Sequence, residues 1–210
     1  MEIPVYLFTG FLESGKTRFI QETLEDENFN AGENTLLLVC EEGEEDYDVS
    51  KFADQDHIHI EYIDAVEQLN AAKLSALEQE LELDRVMIEH NGMVMVKDLL
   101  ERLPQNWAIY QEVMFADAQT FVNYNTNMRG LMVDKLQGCE LIVFNRCDTD
   151  TDQMQLHKIV RASNRRTNII YEQKNGEIEY DEIQDPLPFD LNAPVVEIKD
   201  EDYAVWYRDL

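Results

Sequence analysis

Basic residues are scarce: 17 lysines and arginines stand against 44 acidic residues, leaving a net charge of −27. A surface with that balance repels phosphate backbones and anionic lipid headgroups, and the arginines between Arg161 and Arg166 form too short a cluster to reverse it. No nucleic-acid partner is expected. Long apolar runs are missing too, since no segment approaches the roughly 20 apolar residues that cross a bilayer. The opening Met1-Glu2-Ile3-Pro4-Val5 lacks the basic region and apolar stretch of a secretory signal. Membrane insertion is therefore not expected, and a cytoplasmic location is. Cys40, Cys139 and Cys147 are the only cysteines, odd in number and far apart, which excludes a disulfide framework and fits a reducing compartment. Internal repeats and low-complexity tracts are absent.

What is present suits a globular α/β chain. Apolar residues make up 44% of the 210, enough to offset the ordering of the backbone by burial despite the charge. Short β-rich runs over 3–9, 36–40, 58–63, 86–89, 109–116, 141–145 and 168–171 alternate with helical stretches over 15–24, 64–83, 94–103, 117–136 and 152–163. That alternation predicts a three-layer α/β/α fold around a mostly parallel sheet. In the longest helical stretch Phe121, Tyr124, Met128 and Leu131 keep helical spacing, as a face packed on the sheet does. The domain is read as 1–172. Residues 173–210 read as an acidic appendage with Pro186, Pro188 and Pro194 and a strand-like piece over 195–198. Its aromatic end, 203–210, resembles the opening of a helix and suggests a C-terminal domain not present in this chain.

Gly10-Phe11-Leu12-Glu13-Ser14-Gly15-Lys16-Thr17 satisfies G-x-x-x-x-G-K-[ST] between an apolar strand and a helix, which is the P-loop arrangement. Glycines let backbone N–H groups encircle a β-phosphate, and the helix that follows turns its positive end to the same anion. Lys16 neutralises β- and γ-oxygens, and Thr17 offers its hydroxyl to magnesium. The nucleotide-binding set on this reading is Gly10, Glu13, Ser14, Gly15, Lys16, Thr17 and Arg18.

Two further segments fit the same site. Val86-Met87-Ile88-Glu89 is an apolar strand ending in a carboxylate suited to hold magnesium through water, and the amide of Gly92 can approach a γ-phosphate. Catalytic roles therefore fall to Lys16, Thr17 and Glu89. Residues 41–48 hold six acids, which repel one another unless a cation balances them. Glu41 joins Thr17 and Glu89 as a candidate metal ligand, while Glu42, Glu45 and Asp46 read as solvated. Asn145-Arg146-Cys147-Asp148 follows a late apolar strand. There Asp148 can accept both donors of guanine, Asn145 can tie this loop to the phosphate loop, and Arg146 can lie over the purine.

These segments resemble the CobW-like GTPases, relatives of the HypB and UreG metallocentre assembly proteins. Thr9 to Thr17 is similar to the family's T-G-F-L-G-S-G-K-T-T, with Glu13 in place of a glycine and Arg18 in place of the second threonine. Glu89 to Gly92 resembles E-x-S-G with Asn91 for serine. Glu41, Gly43, Glu44 and Asp48 match the switch N-E-F-G-E-x-G-x-D, from which Cys40 and Glu42 depart. Asn145 to Asp148 resembles N-K-x-D with Arg146 for lysine. The likeness covers about 3–171 and implies slow, magnesium-dependent GTP hydrolysis coupled to metal delivery or metallocentre assembly, with a metalloprotein or metal-transport partner. The family's C-x-C-C motif, which would bind zinc, cobalt or nickel, is missing. His57-x-His59 is either a harder substitute or simply exposed. No arginine finger is assignable, and the oligomeric state is not fixed. Two other readings fit the same loop: an ATP-dependent kinase or ligase, in which Asp148 is an ordinary loop acid, and a nucleotide-gated interaction module with little hydrolysis.

Overall fold

A computed structural model describes residues 2–183 apart from Glu42, Glu44 and Glu45. The first half runs β1 (Ile3–Thr9), α1 (Lys16–Glu25), β2 (Thr35–Val39), β3 (Ile58–Tyr62), α2 (Ala71–Glu80), β4 (Arg85–Glu89) and α3 (Val96–Leu100). The second half runs β5 (Trp107–Asp117), α4 (Phe121–Asn127), α5 (Arg129–Gly138), β6 (Leu141–Cys147), α6 (Gln153–Ser163), β7 (Asn168–Gln173) and β8 (Ile178–Tyr180). All eight strands form one sheet in the order β3-β2-β4-β1-β5-β6-β7-β8, parallel except for the last pair.

Burial follows from which face each strand residue meets. Every residue of β2 and of β4 is buried, as expected of apolar runs covered on both sides. Leu36 and Leu38 pack with Val5, Leu7, Val86 and Ile88 beneath Leu74 of α2 and Leu99 of α3. Leu37 and Val39 turn the other way, joining Phe8, Met87 and Val113 beneath Ile20 and Leu24 of α1. Helices α4, α5 and α6 cover Met114, Ile142, Phe144 and Tyr171 through Phe121, Met132, Leu136, Leu156 and Val160.

Three departures from the sequence reading have local causes. The helix expected over 64–83 begins only at Ala71, where the Asn70 side chain accepts a hydrogen bond from the Lys73 amide and caps the first turn. The helix expected over 117–136 is two helices, broken at Met128, whose backbone (φ −129°, ψ 41°) is not helical. The apolar stripe continues through the break, so Tyr124, Met128 and Leu131 pack against the same core as Phe121. The sheet also runs past residue 172. A turn through Gly176 (φ 86°) returns the chain as β8, with Ile170 opposite Tyr180 and Glu172 opposite Ile178. The strand-like piece over 195–198 and the aromatic end over 203–210 lie outside the described residues.

Buried charge makes the fold pH-dependent. Glu112 of β5 is 6% exposed and its Oε1 has no hydrogen-bond partner among the described residues. Burial, reinforced by Asp134 and Glu140 against the opposing pull of Lys135, raises its carboxyl from 4.5 to about 7. The folded state thus holds this proton more tightly than the unfolded chain. Its contribution is fully present below pH 4.5 and is lost as pH rises through about 7. Glu112→Gln is expected to match the parent at pH 4 and to be more stable at pH 8 by about 2 kcal/mol. Denaturant melts at the two pH values check this.

Candidate nucleotide site

The phosphate loop leaves β1 at Thr9 and enters α1 at Lys16, and its glycines are fixed by contact. Gly10 has φ 137°, and a Cβ there would lie 2.2 Å from the Phe115 carbonyl oxygen. Gly15 has φ 93°, and its Cβ would meet the Asn145 amide at 2.6 Å. Both are positions that L side chains adopt only with strain. No side chain caps the start of α1, so the positive end of the helix faces the loop. Glu13 is exposed, with a left-handed backbone (φ 59°). The Phe11 ring stacks on Tyr124 of α4 at 4.2 Å, which anchors the loop's outer edge.

Lys16 is 2% exposed. Its Nζ donates to the carbonyls of Gly10 (3.0 Å) and Phe11 (2.9 Å) and pairs with Glu41 Oε2 at 2.6 Å. The other carboxylate oxygen of Glu41 accepts from the Gly92 amide at 3.0 Å. Sequence made Glu41 a metal-ligand candidate. In the structure its carboxylate meets an ammonium group and a main-chain amide.

Thr17 and Glu89 meet one layer deeper. The Thr17 hydroxyl donates to Glu89 Oε1 at 2.6 Å, and the Tyr47 hydroxyl donates to Oε2 at 2.5 Å. Burial raises the Glu89 carboxyl above its ordinary range against the lowering effect of these bonds and of Lys16. A buried carboxylate beside a hydroxyl is the hard-oxygen environment that suits magnesium, which would lower the cost of keeping Glu89 ionised. Thr17 and Glu89 are thus the residues that fit such an ion.

Gly92 closes the site from the β4 side. A Cβ at this position would lie 2.6 Å from both the Gly10 carbonyl oxygen and Phe11 Cα, which are backbone atoms unable to swing aside. Gly92→Ala is expected to cost about 2 kcal/mol in stability by overpacking and to weaken nucleotide binding through displacement of the loop. A thermal melt and a nucleotide titration of the variant read the two effects separately.

The loop over residues 145–148, expected from sequence to read the base, begins within the end of β6. Asn145 Nδ2 donates to the Ser14 carbonyl, joining this loop to the phosphate loop. Asn145 Oδ1, Ser14 Oγ and Thr9 Oγ1 are buried without hydrogen-bond partners among the described residues. Arg146 has φ 55°, and its Nη1 pairs with Asp117 at the end of β5 at 2.7 Å. Asp148 accepts from the Asp150 amide (3.1 Å) through Oδ1 and pairs with Lys174 Nζ (2.5 Å) through Oδ2. The Lys174 hydrogen bond holds its carboxyl below the ordinary range. Arg18 lies apart from these groups: its guanidinium is exposed and pairs with Glu22 (2.8 Å) and Glu172 (3.7 Å).

Tyr47, Asp117 and Lys174 complete the site and were not singled out from sequence. Each comes from a different part of the chain, so no local spacing could have linked them to Glu89, Arg146 and Asp148. Lys174 belongs to the stretch read as an appendage.

A transition-metal site does not fit the described residues. His57 pairs through Nδ1 with Asp54 at 2.8 Å. A cavity of about 220 Å³ at the ends of β2 and β4 is lined by Cys40, Asp64, Glu67 and His90 among others. Burial holds the Cys40 thiol protonated, pushed up to about 12, and pushes the His90 imidazolium down to about 3 with help from Lys135 and Lys16. Among the described residues no three His, Cys, Asp or Glu side chains converge as a metal-binding group. No helix of the described residues is long and apolar enough to cross a membrane.

Comparison with known proteins agrees with this geometry. The sequence pattern of the CobW/HypB/UreG nucleotide-binding domain matches residues 4–171. Zn(II)-bound YjiA GTPase from E. coli is similar at 20% identity and a TM-score of 0.57, over 80% of this chain and 57% of that one. A Zn(II)-bound triple mutant of YjiA GTPase gives 20% identity and 0.59, over 85% and 60%. The hydrogenase maturation factor HypB from Archaeoglobus fulgidus gives 18% identity and 0.57, over 83% and 82%. The chain therefore spans 57% to 60% of the YjiA chains it matches. At these identities the likeness establishes a shared P-loop α/β fold. Among curated proteins, no sequence matches the chain.

Proposed function

The chain belongs to the CobW/HypB/UreG nucleotide-binding family, and from that premise we propose that it binds GTP between residues 10–18 and 145–148 and hydrolyses it with magnesium. The observation that carries this reading is the bond from Asn145 to the Ser14 carbonyl. It makes the phosphate-gripping loop and the loop bearing Asp148 a single unit, as recognition of a guanine nucleotide demands.

In this reading the residues act mainly by position and charge. The amides of the phosphate loop and the start of α1 hold the β-phosphate, and Lys16 neutralises the bridge to the γ-phosphate. Thr17 and Glu89 would hold magnesium, which when bound would supply positive charge to the diphosphate leaving group. Tyr47 fixes the Glu89 carboxylate and excludes water from one of its oxygens. Asp148 accepts N1–H and the exocyclic amine of guanine, which adenine cannot supply as an adjacent donor pair. Arg146, held by Asp117, lies over the base.

Two structural neighbours, a Zn(II)-bound GTPase and a hydrogenase maturation factor, support extending the role to metal delivery or metallocentre assembly. On this reading the coupling runs through a metalloprotein or metal-transport partner contacted in the GTP-bound form. A cytoplasmic site of action fits three free, buried cysteines. Phosphate release from GTP and from ATP, each with magnesium, tests the activity. Slow release from GTP alone is expected. Release from ATP at an equal or greater rate would select the kinase-like reading, and release from neither would select a gated module without hydrolysis.

A further inference from the structure

We propose that Glu41 is the residue that distinguishes a triphosphate from a diphosphate, by holding the two groups a terminal phosphate needs until GTP displaces it. The inference rests on the nucleotide-site reading above. One oxygen of its carboxylate lies 2.6 Å from the Lys16 ammonium and the other 3.0 Å from the Gly92 amide. A single anion thus bridges the phosphate loop and the segment after β4, the two places from which a γ-phosphate is gripped in this fold.

The lysine has no spare donor. An ammonium group donates three hydrogen bonds, and here Gly10, Phe11 and Glu41 accept them. Two of these acceptors are carbonyls fixed in the loop backbone. Glu41 alone sits on a rotatable side chain, so it is the partner that an incoming phosphoryl group replaces. The β-phosphate lies against the loop amides and contests this carboxylate far less. GDP can therefore bind with Glu41 in place, whereas GTP must expel it.

Expulsion also frees Gly92 to bind phosphate. The segment that follows is clamped to α5, since the Val96 amide donates to Asp134 at 2.6 Å and the Lys135 ammonium donates to the Val94 carbonyl at 2.9 Å.

The test titrates GDP and a non-hydrolysable GTP analogue, with magnesium, into the full chain as wild type, Glu41→Gln and Glu41→Ala. Losing a charge-assisted competitor should improve analogue affinity relative to GDP by about tenfold or more in both variants, with GDP affinity nearly constant. Glu41→Gln retains an acceptor for the Gly92 amide and so reports on charge in a folded protein; melting temperatures verify that. An unchanged analogue-to-GDP ratio in both variants, with binding intact, overturns the inference alone. Loss of analogue affinity in both also overturns it and makes Glu41 a ligand of the nucleotide's metal. A wild type that binds neither nucleotide brings down the nucleotide-site reading, and this inference with it.

Discussion

Lys16→Ala is expected to weaken GTP binding by about ten- to a hundredfold, because a charge-assisted bond to a phosphate oxygen contributes about 1.5–3 kcal/mol and displacement of Glu41 frees one ammonium donor to make it. The residue is 2% exposed, so the site it serves is largely desolvated and water replaces its charge poorly. The substitution also strands Glu41, whose side chain is 9% exposed and would lose its cation. A stability loss of about 2 kcal/mol should accompany the binding defect. The two effects separate cleanly. Circular dichroism and a melt establish that the variant is folded, and calorimetric titration then reads the affinity. Lys16→Arg should not restore binding, since a planar fork cannot place a point charge between the Gly10 and Phe11 carbonyls. A folded Lys16→Ala protein that binds GTP within about fivefold of wild type would remove the lysine from the site.

Asp148→Asn should change the choice of base. Guanine presents two adjacent donors, and the substitution turns one of two acceptors into a further donor. One hydrogen bond is lost and a repulsive contact replaces it, which predicts about a hundredfold weaker GTP binding. Xanthosine triphosphate, which carries an acceptor where guanine carries its amine, should gain by a similar factor. Folding should hardly change, since the ion pair from Asp148 to Lys174 lies near the surface, with side chains 32% and 54% exposed. Competition among GTP, xanthosine triphosphate and ATP reads the result. Equal GTP affinity in wild type and variant would mean that Asp148 does not touch the base, and the ATP-dependent reading would regain its ground.

The phosphate loop was legible in the sequence because its chemistry is local: residues 10–17 are contiguous, and the flanking strand and helix come from the same stretch of chain. Strands β2 and β4 were legible because complete burial demands uninterrupted apolar runs. The break at Met128 was not, since apolar residues stay in phase on both sides and only the backbone departs. Strand β8 is three exposed residues long, too short for alternation to show. Tyr47, Asp117 and Lys174 were hidden for a different reason. Each acts on a partner 26 to 42 positions away, across connections that only the folded sheet brings together. The part of Glu41 was hidden likewise: an acidic loop suggests a cation, but nothing in its spacing indicates that the cation is Lys16.

The most direct measurement is a calorimetric titration of GTP and ATP, each with magnesium, into the full wild-type chain. The expected outcome is saturable GTP binding at micromolar concentration, with ATP at least about a hundredfold weaker. Heat of binding from neither nucleotide at millimolar concentration would contradict a guanine-nucleotide site at this loop.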